Sequence, residues 1–89
     1  MYELLDFHAT WCQPCKLLSV ILDKVMSERP NLKLTKLDVD EEADKAKEFK
    51  IMGVPTLVLL KDGVEVDRSV GALPKAKLDD WLNKYEDLN

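Results

Sequence analysis

Asp6-Phe7-His8-Ala9-Thr10-Trp11-Cys12-Gln13-Pro14-Cys15-Lys16 joins two different hydrophobic patterns. Before it, Tyr2 to His8 is a short apolar segment broken by Asp6, and it reads as a buried strand. After Cys12 the period changes. Leu18, Ile21, Leu22 and Val25 recur at the spacing of an amphipathic helix, with Asp23, Lys24 and Ser27 on the other face. Cys12 and Cys15 therefore stand where a strand ends and a helix begins.

That position matters more than the spacing. A helix N-terminus presents unpaired N–H groups and the positive end of the helix dipole. Both favour a thiolate and depress a cysteine pKa. Cys12, nearest the end, is expected to be the more exposed thiol and the nucleophile. Cys15, one turn in, can reach back to resolve a mixed disulfide. Pro14 is tolerated in the first turn, where no N–H is needed. A C-x-x-C pair near a βαβ pattern points to redox chemistry. Spacing alone also leaves metal binding and a structural bridge open. A closed zinc or iron–sulfur site wants four ligands, and this pair with the lone His8 does not supply them within one chain. A bridge over so short a loop stabilises little.

Working outward, Pro30-Asn31 ends the first helix, and Leu32 to Val39 reads as a second strand. Asp40-Glu41-Glu42 offers an N-cap and an acidic first turn for a short helix to about Lys50. Gly53-Val54-Pro55 is a turn, and Thr56 to Lys61 is a strongly β-type run. Asp62-Gly63 signals a hairpin, returning through Val64 to Val70 with Val64, Val66 and Val70 as its apolar positions. Gly71 breaks that strand. After Pro74, Leu78, Trp81, Leu82 and Tyr85 resume helical spacing. Met26, Trp81 and Tyr85 are most simply core residues.

The expected order is β-α-β-α-β-β-α. The first two strands, joined through a helix, run parallel with a right-handed crossover. The last two form an antiparallel hairpin. The expected fold is α/β, one mixed four-stranded sheet flanked by helices, in one domain over residues 1–89.

Composition narrows the function. A net charge of −4 is a poor match to nucleic acid, which calls for a basic patch. The longest apolar run, Val54 to Leu60, contains a proline and falls far short of the ~20 residues of a spanning helix. No basic segment followed by an apolar one follows Met1, so no signal peptide is read and a cytoplasmic protein is expected. In that compartment a cysteine pair is redox-active or metal-binding more often than structural.

The segment Asp6 to Lys16 resembles the thioredoxin active-site segment. Gly53-Val54-Pro55-Thr56 resembles that family's cis-proline loop. Lys61-Asp62-Gly63 and Val70-Gly71-Ala72-Leu73 resemble its hairpin turn and last loop. The resemblance covers essentially the whole chain and implies a thioredoxin-like fold and reduction of protein disulfides. It implies no cofactor beyond the Cys12–Cys15 disulfide, no bound metal, a thioredoxin reductase or similar electron donor, and a monomer. By the same resemblance, Cys12 is the attacking thiolate and Cys15 the buried resolving thiol. Trp11, Gln13, Pro14, Val54, Pro55, Gly71 and Ala72 form the substrate surface. A cis bond before Pro55 would free the Val54 backbone to pair with an extended substrate segment. Asp6, a carboxylate in an apolar strand, is expected to have a raised pKa. It matches the residue that assists proton transfer at the resolving thiol. Lys36 matches the lysine that approaches this aspartate.

The sequence also departs from the family pattern. The usual N-terminal strand and helix are absent, which leaves Leu32 to Val39 as a sheet edge. Glutaredoxins share this four-strand core, and a glutathione-coupled reductase is the second enzymatic reading. Neither a tyrosine within the cysteine pair nor a Gly-Gly loop supports it. The non-enzymatic alternative is a module holding a metal between two copies. Gln13 replaces the usual glycine, His8 stands where tryptophan is usual, and Val20 replaces a proline that kinks the first helix. A non-catalytic role is expected of His8.

Overall fold

The computed structural model describes residues 1–85. Seven elements follow one another: β1 (Tyr2–His8), α1 (Gln13–Ser27), β2 (Leu32–Asp38), α2 (Ala43–Glu48), β3 (Thr56–Lys61), β4 (Val64–Val70) and α3 (Lys75–Leu82). They form one mixed sheet in the order β2-β1-β3-β4. β1 pairs with β2 in parallel, and β3 is antiparallel to both β1 and β4. The element order, the parallel first pair and the hairpin are as the sequence predicts. β2 lies at an edge of this sheet.

Side chains alternate across β1, so the sheet has two differently covered faces. Tyr2 and Leu4 meet Leu18, Leu22 and Val25 of α1 and Leu78, Trp81 and Leu82 of α3. Leu5 and Phe7 point the other way, against Ala46 and Phe49. Asp6 thus inherits the α1 face from Leu4. Leu22 is fully buried in that layer. Leu22→Ala is expected to cost about 2–5 kcal/mol of stability, read from the denaturant midpoint.

One local expectation needs correction. The second helix begins at Ala43, and Glu42 makes no side-chain cap hydrogen bond. Asp38 instead closes the turn before the helix, its Oδ1 accepting from the Asp40 and Glu41 N–H groups at 2.8 and 3.4 Å. Val64, Val66 and Val70 do not enter the core; all three are exposed. In β4 the ladder slips at the Leu59/Leu60 junction, where Leu60 pairs with Glu65 and Leu59 with Asp67, so Val66 is bulged out. The bulge sets Asp67 opposite Leu59, on the α3 side. There its carboxylate accepts from the Trp81 indole at 2.9 Å and from the Tyr85 hydroxyl. That carboxylate pushes the Tyr85 phenol up to about 12. Asp62 and Gly63 both take positive φ, as a two-residue primed turn requires.

Candidate active site

Strand β1 delivers Asp6 and His8, and the following turn delivers Trp11 and Cys12 at the mouth of α1. The Cys12 N–H donates to the Ala9 carbonyl at 3.2 Å, which fixes the turn. Cys12 is the N-cap of α1, with extended backbone, and Pro14 lies in the first helical turn. Cys12 and Cys15 are joined as a disulfide, with Cα atoms 5.3 Å apart. The Cys15 backbone N–H donates to Cys12 Sγ at 3.2 Å.

The two cysteine residues differ less in exposure than the sequence suggests. Cys12 is 5% exposed and Cys15 3%. What separates them is the hydrogen bond. Cys12 Sγ occupies the place of a capping oxygen and faces the helix N–H groups, so negative charge on it is stabilised by that donor and by the helix dipole. Cys15 sits inside the first turn, packed with Ala9 and Cys12.

Val54 packs against this cysteine cluster from a distant part of the chain. The Val54–Pro55 bond is cis. Gly71, at positive φ, donates its N–H to the Pro55 carbonyl at 2.8 Å, tying the last loop to the proline loop. The disulfide therefore lies in a rim built from three separated segments. Beside it is a groove of about 200 Å³ lined by Trp11, Val39, Ala46, Ile51, Met52, Gly53 and Val54. Trp11 is 70% exposed and Met52 96% exposed. The Trp11 indole donates to Asp40 Oδ2 at 3.0 Å, which holds the ring over the groove. Sequence reasoning missed Asp40 and Met52. A one-residue step past Asp38 and an exposed methionine before a glycine carried no signal of their own. A larger cleft of about 480 Å³ lies at the opposite end of β1, lined by Met1, Tyr2, Pro30, Asn31, Leu32, Lys33 and Lys61, and touches none of the site residues.

Beneath the cysteines, Asp6 is 1% exposed and its Oδ1 has no hydrogen-bond partner. Burial raises its pKa, while the nearby charges of His8 and Lys36 act the other way. A pocket of about 150 Å³ connects it to Cys15, with Asp6, His8, Ala9, Thr10, Cys15, Lys16, Ser19 and Lys36 as its walls. Lys36 is the register partner of Asp6 on β2. Its ammonium does not bond to Asp6; it donates to Ser19 Oγ at 2.7 Å and Asp23 Oδ1 at 3.2 Å. Among the described residues, no group of three or more His, Cys, Asp or Glu is arranged to hold a metal ion.

Residues 2–84 match the family model described as Thioredoxin. The chain belongs to the thioredoxin family. It is 43% identical over 83 residues to thioredoxin of Listeria monocytogenes, covering 92% of this chain and 81% of that protein. It is equally identical to Bacillus subtilis thioredoxin, 43% over 83 residues, covering 92% of this chain and 80% of the relative. Among solved structures, the thioredoxin of Fasciola hepatica superposes with a TM-score of 0.88 at 33% identity, covering 94% of this chain and 80% of that one. Like other thioredoxins, this chain is a thiol–disulfide oxidoreductase acting on protein disulfides through a redox-active disulfide. No helix among the described residues is long and apolar enough to cross a membrane.

Proposed function

We propose that this thioredoxin reduces protein disulfides by a two-step exchange in which Cys12 attacks and Cys15 resolves. The observation that carries the assignment is the hydrogen bond from the Cys15 N–H to Cys12 Sγ at 3.2 Å. A donor aimed at one sulfur favours the thiolate on that sulfur, and the thiolate is the nucleophile. In the first step the Cys12 thiolate bonds to one substrate sulfur and the other leaves as a thiolate. In the second, Cys15 loses its proton and attacks Cys12 Sγ. The Cys12–Cys15 disulfide forms and the reduced substrate departs.

Asp6 receives the Cys15 proton. It is buried, one of its oxygens is unpartnered, and it shares a pocket with Cys15. At about 150 Å³ that pocket has room for water to bridge the two. Lys36 acts on Asp6 only by charge, from its place between Ser19 and Asp23. Trp11, Gln13, Pro14, Val54, Pro55, Gly71 and Ala72 form the surface against which substrate lies, with Met52 at its apolar edge. An extended segment of the partner protein binds there beside Val54.

The reading includes a monomer, folded as one domain, in a reducing cytoplasm, holding no metal and drawing electrons from a thioredoxin reductase. Coupled assays test the donor. Insulin reduction is expected with NADPH and thioredoxin reductase, with little turnover on glutathione and glutathione reductase. Turnover on the glutathione system alone contradicts this choice and favours the glutaredoxin-like alternative.

A further inference from the structure

The pocket behind Cys15 holds one group that the exchange described above does not use. His8 stands two residues after Asp6 on β1, so the two side chains leave the same face of the strand. Asp6 is buried, whereas His8 is half-buried, and both line the pocket that reaches Cys15. The carboxyl thus sits at the closed end of this space and the imidazole nearer solvent. A carboxyl that accepts a proton in a closed place must also lose it once per turnover.

We propose that His8 is the outlet for that proton: it takes the proton from the Asp6 carboxyl and hands it to water at the mouth of the pocket. The inference rests on the reading of Asp6 as the acceptor of the Cys15 proton. The step balances without any further reagent. The Cys15 S–H proton moves to the Asp6 carboxylate, and the Cys15 thiolate bonds to Cys12 Sγ. The bond from Cys12 to the substrate sulfur breaks, and substrate leaves as a thiolate. The proton then passes from the Asp6 carboxyl to the His8 imidazole and from there to solvent. His8 never touches the sulfurs, so it is a positioning residue acting through Asp6.

The surroundings of His8 suit this task. From its own strand Asp6 faces it. From β2 its register partner is Asp38, with Lys36 one pleat away beside Asp6. From α1 come Cys15, Lys16 and Ser19, and Thr10 closes the turn. The imidazole therefore shares the pocket with one buried carboxyl and two lysines, Lys16 and Lys36. The carboxylate of Asp38, which does not line the pocket, accepts two backbone N–H groups of its own turn. Once the proton has reached His8, the imidazolium beside Asp6 opposes the rise that burial imposes on that carboxyl, which disfavours the proton's return before water removes it. Imidazole is the side chain that changes charge near neutrality, which makes it the usual shuttle.

Single-turnover release of thionitrobenzoate from Ellman's reagent separates the two steps. The first equivalent reports attack by Cys12 and the second reports resolution by Cys15. His8→Ala is expected to leave the first rate unchanged and to slow the second on the order of tenfold at neutral pH. The pH profile of its second step changes from the parent's, and free imidazole in the buffer restores the rate. The double variant Asp6→Asn/His8→Ala is expected to be no slower than Asp6→Asn alone. A second step untouched by His8→Ala but slowed by Asp6→Asn overturns the outlet and leaves the Asp6 reading standing. If Asp6→Asn slows nothing, both fail together. A slow His8→Ala second step that imidazole does not restore, or slowing that adds to that of Asp6→Asn, assigns His8 a merely structural place and also overturns the proposal.

Discussion

Cys12→Ser is expected to abolish insulin reduction, and Cys15→Ser to convert the protein into a trap that holds its substrate as a mixed disulfide. The difference follows from where the sulfurs sit on α1. Serine at position 12 can still accept the Cys15 N–H as an ordinary N-cap, so the helix keeps its start. What is lost is the only group able to open the substrate disulfide. A hydroxyl is far from ionised at neutral pH and is no nucleophile toward sulfur without an activating base. Turnover is expected to fall to the uncatalysed background, a loss on the order of a thousandfold or more in coupled assays. Serine at position 15 leaves Cys12 and its donor in place, so the first exchange proceeds and the second cannot. Non-reducing electrophoresis then shows a covalent adduct that dithiothreitol removes. Equal residual turnover in the two variants, with no adduct in either, contradicts the assignment.

The second large effect concerns Asp6, where stability and activity are expected to move in opposite directions. Burial raises the Asp6 pKa in the native protein above its ordinary 3.8. A raised native pKa means that the native state binds this proton more tightly than the unfolded chain does. The stability so gained is complete below the unfolded value and is lost as pH rises through the native one. Above its native pKa the parent therefore carries a buried charge with an unpartnered oxygen. Asp6→Asn keeps the shape and stays neutral at every pH. It is expected to be more stable than the parent by about 1–3 kcal/mol at pH 8, with the gain shrinking toward pH 4. Denaturant midpoints at the two pH values measure this. The same variant slows the resolving step on the order of tenfold at neutral pH, because Cys15 loses its proton acceptor. A stability gain independent of pH removes the electrostatic explanation. A loss of stability at pH 8 contradicts it outright.

Much of this was readable in the sequence. The strand bounds at Tyr2–His8, Thr56–Lys61 and Val64–Val70 followed from runs of β-type residues closed by turn signals. The cysteine pair showed itself because a short apolar strand segment gave way to helical spacing at Cys12. What the sequence did not show has physical sources too. Asp38, Asp40, Glu41 and Glu42 are all acidic and closely spaced, and nothing local says which carboxylate closes the turn or that none caps the helix. Val64, Val66 and Val70 alternate with polar neighbours, yet a bulge at Val66 breaks the alternation and hands the inner face to Asp67. Such a slip depends on pairing with β3, so the strand's own pattern does not contain it. Contacts such as Trp11 to Asp40 join residues that only the folded sheet brings together. The small difference in exposure of the two cysteine residues belongs in the same class, because neighbouring loops bury Cys12 as well as Cys15.

The central claim is that Cys12, stabilised at the head of α1, makes the first covalent bond to substrate. Peptide mapping of the parent protein tests this most directly. The reduced protein is mixed with a peptide disulfide, quenched in acid within the first turnover, and digested without reductant. The peptide is predicted on Cys12, with Cys15 recovered as free thiol. A peptide found on Cys15, with Cys12 free, contradicts the account.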